Sequence, residues 1–138
     1  MTAKQYLQQI HMMDIRIGQR ITQLEQMRAR VHIMGSFDYS KDRIQTSAET
    51  GNRQIENIVD MEAEIKRLIE REQNLKHKII GEIQQLESAN YVEILYRRYV
   101  EMQSFEQISC SLNYAYHYVC TLHGEALKTF EEQVLNKP

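Results

Sequence analysis

Apolar residues recur every three or four positions along two long stretches of the chain. The first stretch contains Leu7, Ile10, Ile17, Ile21, Leu24 and Val31, and the second contains Ile58, Met61, Ile65, Leu68, Leu75, Ile79 and Leu86. This spacing is the period of an α-helix with one apolar face. Two such helices bury their apolar faces most simply against each other. The pattern therefore predicts a long antiparallel helical hairpin of the coiled-coil type over residues 1–87.

Charged residues interrupt both apolar faces. Asp14 and Arg28 fall on the first face, and Glu72 and Glu82 fall on the second. These side chains either lie at the edges of the interface and extend to water, or pair across it and fix its register. The sequence leaves both interpretations open.

A polar segment, GSFDYSKDRIQTSAETGN, separates the two stretches and spans residues 35–52. Gly35 is suited to end the first helix, and Gly51 with Asn52 is suited to begin the next. The segment is longer than most connections in compact domains. It is predicted to be a polar elbow between the two helices.

Residues 88–138 have a different pattern and are predicted to form a separate domain. Ser88 or Asn90 can cap a helix that runs through YVEILYRRYVE and ends near Met102. Ser104, followed three residues later by Gln107, is the pattern of a capping box at the start of a short helix. That short helix is expected to bury Phe105, Ile108 and Leu112.

The chain is expected to reverse at Asn113, because Asn tolerates the left-handed backbone conformation better than most residues. The small side chain of Ser109 would let the helices on either side approach closely. The next helix is expected to bury Val119, Leu122, Ala126, Leu127 and Phe130. A short helix, a tight turn and a second helix form a helix-turn-helix. The predicted fold class is therefore all-α, with a hairpin followed by a helix-turn-helix.

Composition limits the class of function. The formal net charge is −2, with 17 basic and 19 acidic residues, so a general affinity for polyanions is not expected. Cys110 and Cys120 are the two cysteines, which suits a reducing compartment better than a disulfide framework. We see no export signal and no run of about 20 apolar residues, so we expect a cytoplasmic protein with no membrane contact.

The segment LYRRYVEMQSFEQISCSLNYAYHYVCTLHGEALKTF, residues 95–130, resembles the promoter-reading C-terminal region of sigma factors. The matching positions are Leu95, Tyr99, Ser104, Phe105, Glu106, Ile108, Ser109, Leu112, Val119, Ala126 and Leu127. Nearly the whole chain is similar to a family of small phage and prophage proteins of Gram-positive bacteria. That similarity includes RIQTS at residues 43–47 and LHGEAL at residues 122–127.

The resemblance implies a transcriptional regulator of the late-gene activator type that binds double-stranded DNA in the host bacterial cell. A homodimer joined through the hairpin is expected, with RNA polymerase as a candidate second partner. The predicted DNA-binding residues are Tyr116, His117, Tyr118, Cys120 and Thr121 at the start of the last helix, with Arg97, Arg98 and Lys128 on phosphates. Ala115 and Glu125 depart from the family pattern, in which a capping hydroxyl and a basic residue are common there.

Other interpretations of these residues remain open. Tyr114, Tyr116 and Tyr118 also suit a packing surface against the hairpin or a second subunit. The residues Cys110, His117, Cys120 and His123 include zinc-type ligands, but their spacing lacks a Cys-x-x-Cys pair, and no metal or other cofactor is expected. No phosphate-binding loop or catalytic motif is present, so an enzyme is not expected. The alternative function is a non-catalytic interaction protein whose hairpin binds a partner and whose C-terminal helices are structural.

Overall fold

A computed structural model describes residues 1–36 and 44–137 of the chain, and the predicted all-α class is confirmed there, with no strand in either range. The α-helices are α1 (Ala3–Leu7), α2 (Gln9–Ser36), α3 (Ile44–Ile83), α4 (Ala89–Leu95), α5 (Phe105–Leu112) and α6 (Tyr116–Phe130). Helix α4 continues into a π-helical turn, Tyr96–Val100, and α6 into another, Glu131–Leu135.

The two long helices extend further into the predicted elbow than the sequence indicated. Helix α2 passes Gly35 and ends at Ser36, and α3 starts at Ile44 and runs for 40 residues. Gly51 therefore lies inside a helix and does not begin one. A glycine in a helix interior costs about 1 kcal/mol, which is too little to end a helix of this length. Residues 37–43, the centre of the predicted elbow, lie outside the described residues.

The chain divides into two compact units. The first consists of Met1–Met13 with Glu72–Pro138, and the second of Asp14–Arg71. The first unit therefore contains residues from both sides of the predicted domain boundary between residues 87 and 88.

The first unit has one hydrophobic core, to which the start of the chain contributes. Leu7 and Ile10 are completely buried there, together with Phe130 of α6. The ring of Tyr6 lies 6.1 Å from that of Phe130, and its hydroxyl donates a 2.6 Å hydrogen bond to Glu82. The remaining buried members are Ala3, Ile79, Ile83, Leu86, Ile94, Leu95, Tyr99, Ile108, Val119, Leu122 and Ala126.

Among the described residues of the second unit, the buried apolar side chains are Ile17, Leu24 and Ile65. Arg20 of α2 pairs with Glu64 of α3 at 3.3 Å, and Arg28 pairs with Glu62. Of the charges that interrupt the predicted apolar faces, Arg28 thus makes a pair between helices, whereas Asp14 is exposed. Exposed pairs of this kind contribute roughly 0–1 kcal/mol each, so they add little to the free energy of unfolding.

Several large apolar side chains of the second unit remain in contact with water. These are Ile15, Ile21, Ile33, Ile55, Val59 and Ile69, each at least 38 % exposed. Ile21 belongs to the predicted apolar face of α2, so that face is only partly covered within the chain. In the described part of the chain, no helix is both long and apolar enough to cross a membrane.

Candidate nucleic-acid interface

Local side-chain bonds start the helices at the C-terminal end of the chain. The Ser88 hydroxyl accepts the backbone N–H of Tyr91, which makes Ser88 and not Asn90 the cap of α4. At α5, the Ser104 hydroxyl accepts the N–H of Gln107, and the Gln107 side chain accepts the N–H of Ser104. The predicted capping box is therefore confirmed.

The turn between α5 and α6 is built on Asn113. Its backbone lies in the left-handed region, with φ 57° and ψ 42°, as its position in the sequence predicted. The Asn113 N–H donates to the carbonyl of Ser109, and the Ser109 hydroxyl donates to the carbonyl of Tyr114. Ser109 thus acts through its hydroxyl as well as through its small size, because it binds the backbone on the far side of the turn.

Helix α6 has one buried face. The predicted inward residues Val119, Leu122, Ala126 and Phe130 are buried, and Leu127 is half-buried. Ala115 precedes the helix with an extended backbone and no side-chain cap. The orientation of α6 therefore depends on its packing more than on its first turn.

The opposite face at the start of α6 is open. Tyr116 is 52 % exposed and Tyr118 is 46 % exposed, and both His117 and Thr121 are exposed beside them. Cys120 is half-buried. The Thr121 hydroxyl donates to the carbonyl of His117 within the helix.

The exposed side chains at the start of α6 contact one another. The rings of Tyr114 and Tyr118 meet edge to face with centroids 5.2 Å apart. The neighbouring Cys120 side chain raises the pKa of Tyr116. All three tyrosines are exposed.

The three predicted phosphate-binding residues lie in different surroundings. Arg97 forms an ion pair with Glu93 one helical turn away. Arg98 donates to the carbonyl of Gln103 at 3.0 Å, and its guanidinium carbon lies 4.4 Å from the centre of the Phe105 ring. Lys128 is exposed, seven residues beyond Thr121 on α6. Among the described residues Lys128 therefore has no ion-pair partner, whereas the two arginines are held by intramolecular contacts.

A carboxylate also lies beside the open face. Glu125 of α6 accepts a 3.3 Å hydrogen bond from the Tyr91 hydroxyl. The pKa of Tyr91 is raised, by desolvation first and by the negative charge of Glu125 second. Tyr91 was not among the predicted site residues, because nothing in its sequence neighbourhood places it next to α6.

The four candidate zinc ligands have separate roles. Cys110 is exposed on α5, and His123 bonds Tyr99 through its ring nitrogen. Within residues 1–36 and 44–137, no three histidine, cysteine or acidic side chains are grouped so that they could hold a metal ion.

Comparison with known proteins gives no family assignment. No protein-family model matches the chain, and neither a curated protein nor a solved structure matches it. The described residues define an all-α protein in which the N-terminal part of α6 has an exposed face.

Proposed function

We propose that the chain is a DNA-binding transcriptional regulator of phage or prophage type. In this proposal α5, the turn at Asn113 and α6 are a helix-turn-helix of the sigma-like kind, with α4 as the supporting helix. The observation that supports it is the division of α6 into two faces. Val119 and Leu122 anchor the helix in the core, while Tyr116, His117 and Thr121 stay outside at its N-terminal end.

The exposed residue types suit the edges of base pairs. In this motif the N-terminal residues of the second helix enter the major groove first. The Thr121 methyl group can contact a thymine methyl, and the His117 ring and the Tyr116 hydroxyl can form hydrogen bonds with bases or phosphates. Each good base contact discriminates by roughly 1–3 kcal/mol.

The electrostatics favour a regulator that binds DNA as a homodimer. Phosphate neutralisation supplies most of the affinity for DNA, and a single copy offers Lys128 as its exposed cation on α6. A second copy doubles these contacts on one duplex. The exposed apolar residues of the second unit, such as Ile21 and Val59, are suited to join two copies through a paired-helix hairpin. RNA polymerase is the proposed further partner, and binding to it would compensate for a low affinity for DNA.

Salt-dependent binding tests this function. The chain should retard promoter DNA from the genome that encodes it at low salt, and the affinity should fall steeply as salt rises. Replacement of Tyr116, His117 and Thr121 by alanine should weaken binding at least about tenfold, because the base contacts are lost. The control variant replaces Gln73, Asn74 and His77, which are exposed on α3, and should bind as the wild type does. Absence of a shift at low salt, even with polymerase added, would overturn the proposal.

A second candidate function, that of a non-catalytic interaction protein, is supported by the exposed apolar side chains of the two long helices, among them Ile15, Ile55 and Val59. The carboxylate of Glu125 on α6 would in addition repel phosphate. If the chain is a non-catalytic interaction protein whose hairpin binds the partner, the triple alanine variant retains partner binding. Loss of DNA retention with partner binding unchanged supports the regulator.

A further inference from the structure

A cavity of about 400 Å³ lies in the first unit, on the side of His123. Helix α1 contributes Lys4 to its wall, and Gln8 and His11 follow along the chain. The corner between α4 and α5 and the middle of α6 supply the rest: Arg98, Tyr99, Met102, Phe105 and His123. A volume of this size is within the range of small-molecule sites.

The charged groups in the wall of the cavity are all basic. Lys4 and Arg98 are cations, the two imidazoles belong to His11 and His123, and the lining contains no aspartate or glutamate. The chain as a whole has a net charge of −2, so the concentration of basic groups in this lining is a local feature. Burial, followed by the positive charges of Arg98 and Lys4, lowers the pKa of His123 to about 4. Desolvation disfavours charge of either sign at His123, whereas the positive charges of Arg98 and Lys4 favour an anion beside them.

Met102 and Phe105 supply the apolar part of the lining. The Phe105 and His123 rings meet edge to face, with 4.8 Å between centroids, and the Arg98 guanidinium lies over the Phe105 ring. Met102 has a φ of 58°, an uncommon conformation for a residue with a long side chain. The N–H of Gln103 bonds the carbonyl of Arg97, which holds the chain in this bend. Backbone strain of this kind persists where surrounding contacts fix it, and it is often found at ligand sites.

We propose that this cavity binds a small organic anion, with one carboxylate or phosphate group on a ring-sized apolar body. The anionic group lies between Lys4 and Arg98, and the ring lies against Phe105 and Met102. The inference is independent of DNA binding, because it rests on the cavity alone and its test contains no DNA.

Calorimetric titration with four probes tests the site on the intact chain. Benzoate and phenyl phosphate have both features, acetate lacks the ring, and benzyl alcohol lacks the charge. We expect benzoate and phenyl phosphate to bind and the other two to bind at least about tenfold more weakly. Whichever of benzoate and phenyl phosphate binds more tightly shows whether the site prefers a carboxylate or a phosphate group. Chemical shifts of the His123 ring protons report whether the probe occupies this cavity.

Two variants alter the charge without disturbing the core, since Lys4 and Gln8 are both exposed. Lys4→Met removes a cation, and Gln8→Glu places a carboxylate at the cavity with almost no change in shape. Each should weaken binding of the better probe by roughly tenfold. The matched control is Lys78→Met, which removes an exposed lysine of α3 outside the cavity and should bind normally.

Equal binding of benzoate and benzyl alcohol would overturn the proposal, as would unchanged binding in the Gln8→Glu variant. Binding of all anions with no shift at His123 would also overturn it, because the anion would then occupy another part of the surface.

Discussion

The Tyr99 hydroxyl lies 2.7 Å from Nε2 of His123, and the two rings stack with centroids 5.7 Å apart. Burial raises the pKa of Tyr99 to about 12, and it lowers the pKa of His123 to about 4, so both groups are neutral at pH 7. Their hydrogen bond joins the corner after α4 to the middle of α6. It therefore helps to hold the helix whose other face is the proposed DNA-binding surface.

Stability should depend on pH through His123. Between pH 6.5 and about 4, an unfolded His123 takes up a proton that the folded chain does not bind, so stability falls as pH falls through this window. The free energy of unfolding should fall by about 1–2 kcal/mol. This is less than the full pKa shift of His123 implies, because water screens a partly exposed imidazole. His123→Gln removes this contribution. Urea denaturation at pH 7 and pH 4.5 should show a smaller decrease for the variant than for the wild type, and equal decreases would contradict the assignment.

Tyr99→Phe should destabilise the chain by about 1–2 kcal/mol. The variant keeps the ring but leaves Nε2 of His123 without its partner in a partly desolvated place. Tyr96→Phe is the matched control, since the Tyr96 hydroxyl has no hydrogen bond within the described residues, and it should cost less than about 0.5 kcal/mol. Thermal unfolding of both variants measures the difference. If the two variants were equally stable, the Tyr99–His123 hydrogen bond would make no net contribution to the free energy of unfolding.

Ala115→Ser should stabilise the chain by about 0.5–1 kcal/mol. Ala115 already has the extended backbone of a helix cap, with φ −64° and ψ 143°, but no side chain to bond the free N–H groups of α6. The control is Ala63→Ser, at an exposed position inside α3, where a serine should cost a few tenths of a kcal/mol. Chemical denaturation shows whether each substitution raises or lowers the free energy of unfolding. A destabilised Ala115→Ser variant would show that the first turn of α6 is capped in another way.

The turn at Asn113 should tolerate glycine and reject alanine. A left-handed residue with a Cβ and no polar side chain costs about 1 kcal/mol, so Asn113→Ala should lose that amount while Asn113→Gly stays within about 0.5 kcal/mol of the wild type. Asn74→Ala, on the exposed side of α3, serves as the control and should be neutral or slightly stabilising. Equal stability of the alanine and glycine variants at position 113 would mean that the turn relaxes to another conformation.

Much of the C-terminal half was predictable because its determinants are close together in the sequence. A capping box needs two residues three positions apart, as Ser104 and Gln107 are, and a left-handed turn needs one suitable residue, as Asn113 is. Helical periodicity likewise identified the buried face of α6. The start of α3 was misplaced, since Gly51 is a weak signal that a long helix easily overrides.

The proposed site was only partly predictable. The exposure of Tyr116, His117 and Thr121 follows from the helical period once Val119 and Leu122 are assigned to the core. The surroundings of Arg98 do not follow from the helical period, because its contact with Phe105 depends on the bend at Met102. The role of these residues in DNA binding stays a prediction.

The sequence by itself determined the all-α class, the caps, the turn at Asn113 and the buried side of α6, since each depends on residues within about one helical turn. Only the tertiary structure decided that Leu7 and Ile10 share a core with Phe130, that Tyr99 meets His123, and that Lys4 lines the same cavity as Arg98. Those arrangements join residues far apart in the chain. They arise because apolar faces from several helices exclude water together, and no local pattern specifies which faces will meet.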